Sequence, residues 1–145
     1  MQLGPRQDLG IERLEMRMGR RRLIQGEGFR VGWDLGGGDF VGLVGTGEWA
    51  VELTVEEWAD FRRLVTQLAE MMATMAIDLM EEETLSVELE TNWIWMEVEG
   101  FAQCYGLRFM TQGGRGVEGE WSAETVPELL AAIAQIEVEA LSPDL

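Results

Sequence analysis

Apolar residues at Trp58, Phe61, Val65, Leu68, Met72, Met75 and Leu79 are spaced alternately three and four apart. That period places all seven on one stripe of an α-helix running from Thr54 to Met80. Thr54 stands three residues before Glu57, the spacing of a capping box, and Leu53 and Trp58 flank the cap as a hydrophobic staple. At 1.5 Å per residue such a rod spans roughly 39 Å, enough to cross a small domain.

On both sides of this helix the period falls to two. Phe29, Val31 and Trp33 alternate with Arg30, Gly32 and Asp34, the pattern of a half-buried strand. Gly36-Gly37-Gly38-Asp39 is turn chemistry, Phe40 to Val44 is a second strand, and Trp49, Val51 and Leu53 form a third that leads into the helix cap. After the helix, Leu85, Val87 and Leu89 alternate with Ser86, Glu88 and Glu90, Thr91-Asn92 turn the chain, and Trp93 to Glu99 return. A two-residue loop would set Glu90 opposite Trp93 and Glu88 opposite Trp95, and a four-residue loop is the alternative, because Thr-Asn is not a favoured primed-turn pair. Either way one face is apolar and the other carries the carboxylates with two tryptophans. Tyr105, Leu107 and Phe109 read as the inward face of a further strand, Gly113 to Gly116 as a hairpin loop, and Val117, Gly119 and Trp121 as a last strand. Val126, Leu129, Leu130, Ile133 and Ile136 then give a second helical stripe.

Two passages echo each other. Gly47-Glu48-Trp49 precedes Thr54-Val55-Glu56-Glu57, and Gly119-Glu120-Trp121 precedes Thr125-Val126-Pro127-Glu128. The echo divides the chain into two β-rich units, each closed by a capped helix. The pattern therefore predicts an α+β domain: a curved antiparallel sheet of about seven to eight strands with two helices packed on it.

Composition changes this picture at one end. All eleven basic residues are arginine, and seven of them lie in residues 1–30 against four acids; the remaining 115 residues hold four arginines and 23 acids, a balance of −19. Residues 1–22 show no clean hydrophobic period and interleave their charges, as a mobile arginine-bearing arm ahead of a single domain at 23–145 would. Met16 and Met18 offer a second explanation, a native start inside that arm. The single cysteine, Cys104, allows no intramolecular disulfide and fits a reducing, cytoplasmic setting. No apolar run approaches the ~20 residues that cross a bilayer. An acidic body repels phosphate backbones and favours a basic partner.

Candidate chemistry is sparse. Gly114-Arg115-Gly116-Val117-Glu118-Gly119 matches G-x-G-x-x-G in form, but a strand is expected to follow it, where a dinucleotide site needs a helix. The run Gly36 to Gly38 lacks the lysine of a P-loop, and no lysine exists in the chain. Without histidine the usual general base is missing, and Cys104 has no imidazole to activate it. Asp78, Glu81, Glu82 and Glu83 offer oxygen atoms but not the alternating pattern of an EF-hand loop. The expectation is a chain that is not an enzyme and uses no cofactor or metal. Trp93, Trp95, Glu88 and Glu97 remain as a candidate interface, an aromatic patch among carboxylates on one hairpin face. Left uncovered, that face would suit a protein partner, including a second copy.

Gly28-Phe29-Arg30-Val31-Gly32-Trp33-Asp34, Leu43-Val44-Gly45 and Trp49-Ala50-Val51-Glu52-Leu53-Thr54 resemble an uncharacterised cyanobacterial family of small acidic proteins, domain of unknown function 1818. Leu79-Met80-Glu81-Glu82-Glu83 and Glu118-Gly119-Glu120-Trp121 match it too, so the resemblance runs from about Gly26 to Ile136. It implies a Whirly-like fold of two ββββα units, as in certain single-stranded-DNA-binding regulators, with Leu23 to Gly26 supplying or extending a fourth strand in the first unit. It implies no catalytic or ligand residues. The expected function is a binding or regulatory module working through protein contacts, with single-stranded nucleic-acid binding as the alternative by fold analogy.

Overall fold

The computed structural model describes residues 13–18, 21–34, 36 and 38–141. Five strands come first: β1 (Arg13–Met18), β2 (Arg21–Gly26), β3 (Phe29–Asp34), β4 (Phe40–Gly45) and β5 (Ala50–Thr54). Helix α1 (Val55–Met75) follows, then a 3-10 turn (Ala76–Asp78), strands β6 (Thr84–Glu90), β7 (Ile94–Phe101), β8 (Cys104–Thr111) and β9 (Glu118–Trp121), and helix α2 (Val126–Leu141). The chain is α+β with two helices, as its periodicities predict. The strands form two antiparallel sheets, β1-β2-β3-β4-β5 and β6-β7-β8-β9, not the single sheet expected. Helix α1 separates β5 from β6 in the chain, and they do not pair. Runs β2–β5 and β6–β9 match at four strands each, and β1 adds a ninth strand at the outer edge.

Residues 13–18, 21 and 22, expected to belong to a mobile arm, are instead strand residues of the first sheet; residues 1–12, 19 and 20 of that arm lie outside the described residues. Arg22 is only 6% exposed and donates to Glu15 of β1 at 2.9 Å and to Glu139 of α2 at 2.6 Å. Gln135 of α2 also donates to Glu15, at 3.0 Å. The interleaved charges that hide a hydrophobic period are thus partners for groups far along the chain.

Helix α1 starts where the capping box puts it: Glu57 N donates to Thr54 Oγ1 at 3.3 Å and Thr54 N to Glu57 Oε1 at 3.0 Å. It ends at Met75, five residues before the expected Met80, with Leu79 already extended. No basic residue occupies the last turn, while Asp78 and Glu81 to Glu83 oppose the dipole there. Trp58, Phe61, Leu64, Val65, Leu68 and Met72 are buried, so the stripe closes one turn early as well. Among the described residues no helix is long and apolar enough to cross a membrane.

Both helices touch both sheets: α1 packs on β4, β5, β6 and β7, and α2 on β2, β3 and β8. One core results, and an aromatic cluster sits where the units meet. The Phe61 ring lies edge-on to Phe109 at 5.2 Å and to Trp121 at 6.0 Å, and Trp49 tilts against Trp121 at 5.2 Å. The two echoed tryptophans are therefore neighbours in space but not equivalent in position. Trp49 lies in the turn before β5, whereas Trp121 ends β9. The T-V-x-E passages do correspond, since each opens a helix.

A candidate interaction surface on the second sheet

The β6–β7 connection decides which side chains share the outer face. Thr91 N donates to Ile94 O at 2.7 Å, and Thr91 Oγ1 accepts from the amides of Trp93 and Ile94, both at 3.0 Å. Glu90 consequently pairs with Trp95 and Glu88 with Glu97, which is the four-residue loop and not the two-residue one. The slip is two residues, an even number, so every side chain keeps its expected face.

Four rows then cross the sheet on the side away from the helices: Thr84, Phe101 and Cys104; Ser86, Glu99 and Gly106; Glu88, Glu97, Arg108 and Glu120; Glu90, Trp95, Met110 and Glu118. The opposite face, with Ile94, Met96, Val98, Leu107, Phe109 and Trp121, is buried. Glu88 directly across from Glu97 would cost stability as a like-charge pair. The neighbours offset it. Trp95 Nε1 donates to Glu88 Oε1 at 2.6 Å, Arg108 Nη2 and Nε to Glu97 Oε1 at 2.8 and 3.2 Å, and Ser86 Oγ to Glu97 Oε2 at 2.8 Å. The Arg108 guanidinium also lies 5.2 Å from the centre of the Trp95 ring, within cation–π range.

Of the four candidate residues, Trp95, Glu88 and Glu97 come together in this network. Trp93 does not. It sits in the connection, out of the ladder, with its ring against Gly113, where a Cβ would lie 2.9 Å from Cζ3. Arg108, Ser86 and Met110 are the members that the sequence reading missed. Arg108 was recoverable as one of only two arginines after residue 63, but its strand register was needed to place it.

The Arg108 hydrogen bond, followed by that of Ser86, holds the Glu97 carboxyl below the usual carboxylate range. Because the folded-state value is lowered, its stabilisation is fully present above the ordinary pKa of about 4.3 and is lost as pH falls through the lowered value. Arg108→Ala is expected to lose a small part of the fold's stability at neutral pH, since the pair is open to screening. Its deficit against wild type should shrink as pH falls below the ordinary carboxylate range and through the lowered Glu97 value. Urea midpoints of both proteins across that range check this. A deficit independent of pH would trace the Arg108 contribution to its packing on Trp95.

The other sequence candidates have structural roles. The Gly114-to-Gly119 run is the β8–β9 loop followed by a strand, with Gly114 and Gly116 at positive φ. Arg115 of that loop donates to Glu57 Oε1 at 3.1 Å and to Glu52 O at 2.7 Å, tying the second unit to the cap of α1. Cys104 is exposed at the start of β8. Among the described residues no three acids or cysteines converge as a metal-binding group. On the outer face of the first sheet, a depression of about 450 Å³ has Leu23, Gly32 and Leu43 in its floor, and its rim includes Arg21 and Asp34, already paired at 3.0 Å.

Comparison with known proteins adds relatives but no activity. No curated protein matches the chain. Solved structures do match, among them the 1.80 Å crystal structure of a protein with unknown function from the DUF155 family from Prochlorococcus sp. NATL2A, a cyanobacterium. The two share 25% identity over 77% of this chain and 95% of that one, with a TM-score of 0.72. The model of the family described as domain of unknown function DUF1818 matches residues 24–136. With most of its length matched, from the second half of β2 through the greater part of α2, the chain belongs to the DUF1818 family.

Proposed function

We propose that this protein is a non-catalytic cytoplasmic binding or regulatory module that acts through protein–protein contacts at the outer face of β6–β9. One observation carries the reading. On a sheet face that no helix covers among the described residues, the half-buried Trp95 and the exposed Met110 stand among six glutamates and one arginine. Apolar area with a charged surround is the make-up of a contact surface. Self-association through this face would set glutamates against glutamates, so a different, basic protein is the better partner. The Arg108 hydrogen bond, which holds the Glu97 carboxyl below the usual carboxylate range, supports recognition over acid–base chemistry at that residue.

The succession of two four-strand runs, each closed by a helix, supports a Whirly-like relationship, and with it the second reading, single-stranded nucleic-acid binding. Trp95 could stack a base. The six carboxylates around it oppose a phosphate backbone, which ranks this reading second. Affinity capture from the native cell should retain a partner on the wild-type chain and lose it by about tenfold or more with Trp95→Ala/Met110→Ala, both surface changes that spare the fold. Retention by the double variant would overturn the reading. Micromolar anisotropy binding of a labelled oligonucleotide at low salt would put the nucleic-acid reading first.

A further inference from the structure

Helix α1 stops short of the sheet it covers. On β7 the inward residues Ile94, Met96 and Val98 are fully buried, whereas Leu85, Val87 and Leu89 on the edge strand β6 are only half-buried. The chain beyond Met72 leaves apolar surface open: Met75 is 40%, Met80 66% and Ile77 82% exposed. Between the helix flank and β6 runs a groove of about 370 Å³, lined by Gln67, Glu70, Met71, Thr74, Met75 and Leu89. Gln67, Met71 and Met75 recur every four residues, so one wall is a ridge inclined by about 26° to the helix axis, the kind of surface on which a second helix packs. Met80 is held in place by its own turn, since its amide donates to Glu83 Oε1 at 2.9 Å and its carbonyl accepts from Glu83 N at 3.0 Å.

Charge identifies what fits. From Leu64 to Leu107 the chain carries nine carboxylates and no basic residue. Glu70 lines the groove, and Asp78, Glu81 and Glu82 are exposed in the segment that leaves α1. A second copy would bring the same negative charge to the same place. We propose that this groove docks an amphipathic helix from another protein, its apolar stripe on Met71, Met75 and Leu89 and its lysines or arginines toward Glu70 and the exposed acids of the segment that leaves α1. Methionine suits the task because its unbranched thioether adapts to varied side chains, and a helix laid in an apolar groove is a general mode of recognition. The groove lies across β6 from the outer sheet face, so this docking does not depend on the contacts of Trp95.

The test uses the full chain with ¹³C-methyl methionine and three helical peptides of about 18 residues, or five turns. The probes share one leucine stripe and carry lysine, glutamine or glutamate on the polar face. The lysine peptide is expected to bind, to move the methyl signals of Met71 and Met75 but not that of Met110, and to weaken as salt rises. The glutamine peptide should bind about tenfold more weakly or worse, and the glutamate peptide not at all. Met75→Ser/Met80→Ser changes exposed residues only, so it should fold as wild type yet lose about tenfold in affinity or more. Trp95→Ala should bind as wild type does. The proposal is overturned by absent binding, by equal affinity for the glutamine peptide, or by indifference to Met75→Ser/Met80→Ser. Displacement of Met110 with loss of binding in Trp95→Ala would overturn it too, while leaving the sheet-face reading intact.

Discussion

Phe61→Ala is expected to destabilise the fold by about 3–5 kcal/mol, a large share of what a domain of this size has to lose. The Phe61 ring is fully buried and touches three other aromatic side chains: Phe109 at 5.2 Å, Trp121 at 6.0 Å and Trp58 at 6.4 Å. Each such pair adds about 0.5–1.5 kcal/mol to the area it buries. The position makes the loss worse. Phe61 belongs to α1, whereas Phe109 and Trp121 belong to β8 and β9, so the cavity would open at the seam between the two units. Large flat rings line it, and they cannot relax into the gap as aliphatic chains can, which argues for the upper part of the range. Urea denaturation should show a lowered midpoint with an unchanged slope. A loss below about 1 kcal/mol would mean that this ring does not join the units. Met75→Ala on the same stripe is the control. Its side chain is 40% exposed, so its effect should stay within about 0.5 kcal/mol.

Those two stripe positions also mark where sequence reasoning holds and where it stops. The start of α1 is legible because its causes are local: Thr54 and Glu57 need only each other. Its end is not, because Met75 and Leu79 continue the spacing while the dipole and the acids that follow end the helix. The faces of β6 and β7 are legible because alternation assigns them, but their register depends on hydrogen bonds to Thr91 Oγ1 that no periodicity encodes. That single uncertainty explains the candidate surface. Glu88, Glu97 and Trp95 can be grouped by face; Trp93 is exposed in the connection, apart from their network, and Arg108 escapes the grouping because it comes from the next strand. The strand β1 was least legible of all. What fixes its place is the contact of Arg22 and Gln135 with Glu15, between residues near opposite ends of the chain.

Gly119→Ala should cost about 2–3 kcal/mol and lower the melting temperature by on the order of 5–10 °C, although strand preference alone would reward the change. A Cβ at position 119 would overlap the Trp49 ring at Cζ2, Cζ3 and Cη2. The indole cannot swing aside freely, because it tilts on Trp121 at 5.2 Å and on Phe109 at 6.3 Å. Either the ring leaves its rotamer well, at about 0.5–1.5 kcal/mol before any lost contacts, or β9 moves off the core. The same glycine in the other echoed passage supplies the contrast. Gly47 has nothing within 4 Å of a built Cβ and no positive φ, so Gly47→Ala should be neutral or stabilise by up to about 1 kcal/mol through the unfolded chain. Paired thermal melts decide the matter. Equal stability of the two variants would mean that Trp49 is not seated on Gly119, and the joint between the first unit and the second would then lie elsewhere. The expected split means that two identical Gly-Glu-Trp strings do different work: one glycine turns a hairpin in the open, and the other is the floor on which the first unit's tryptophan rests.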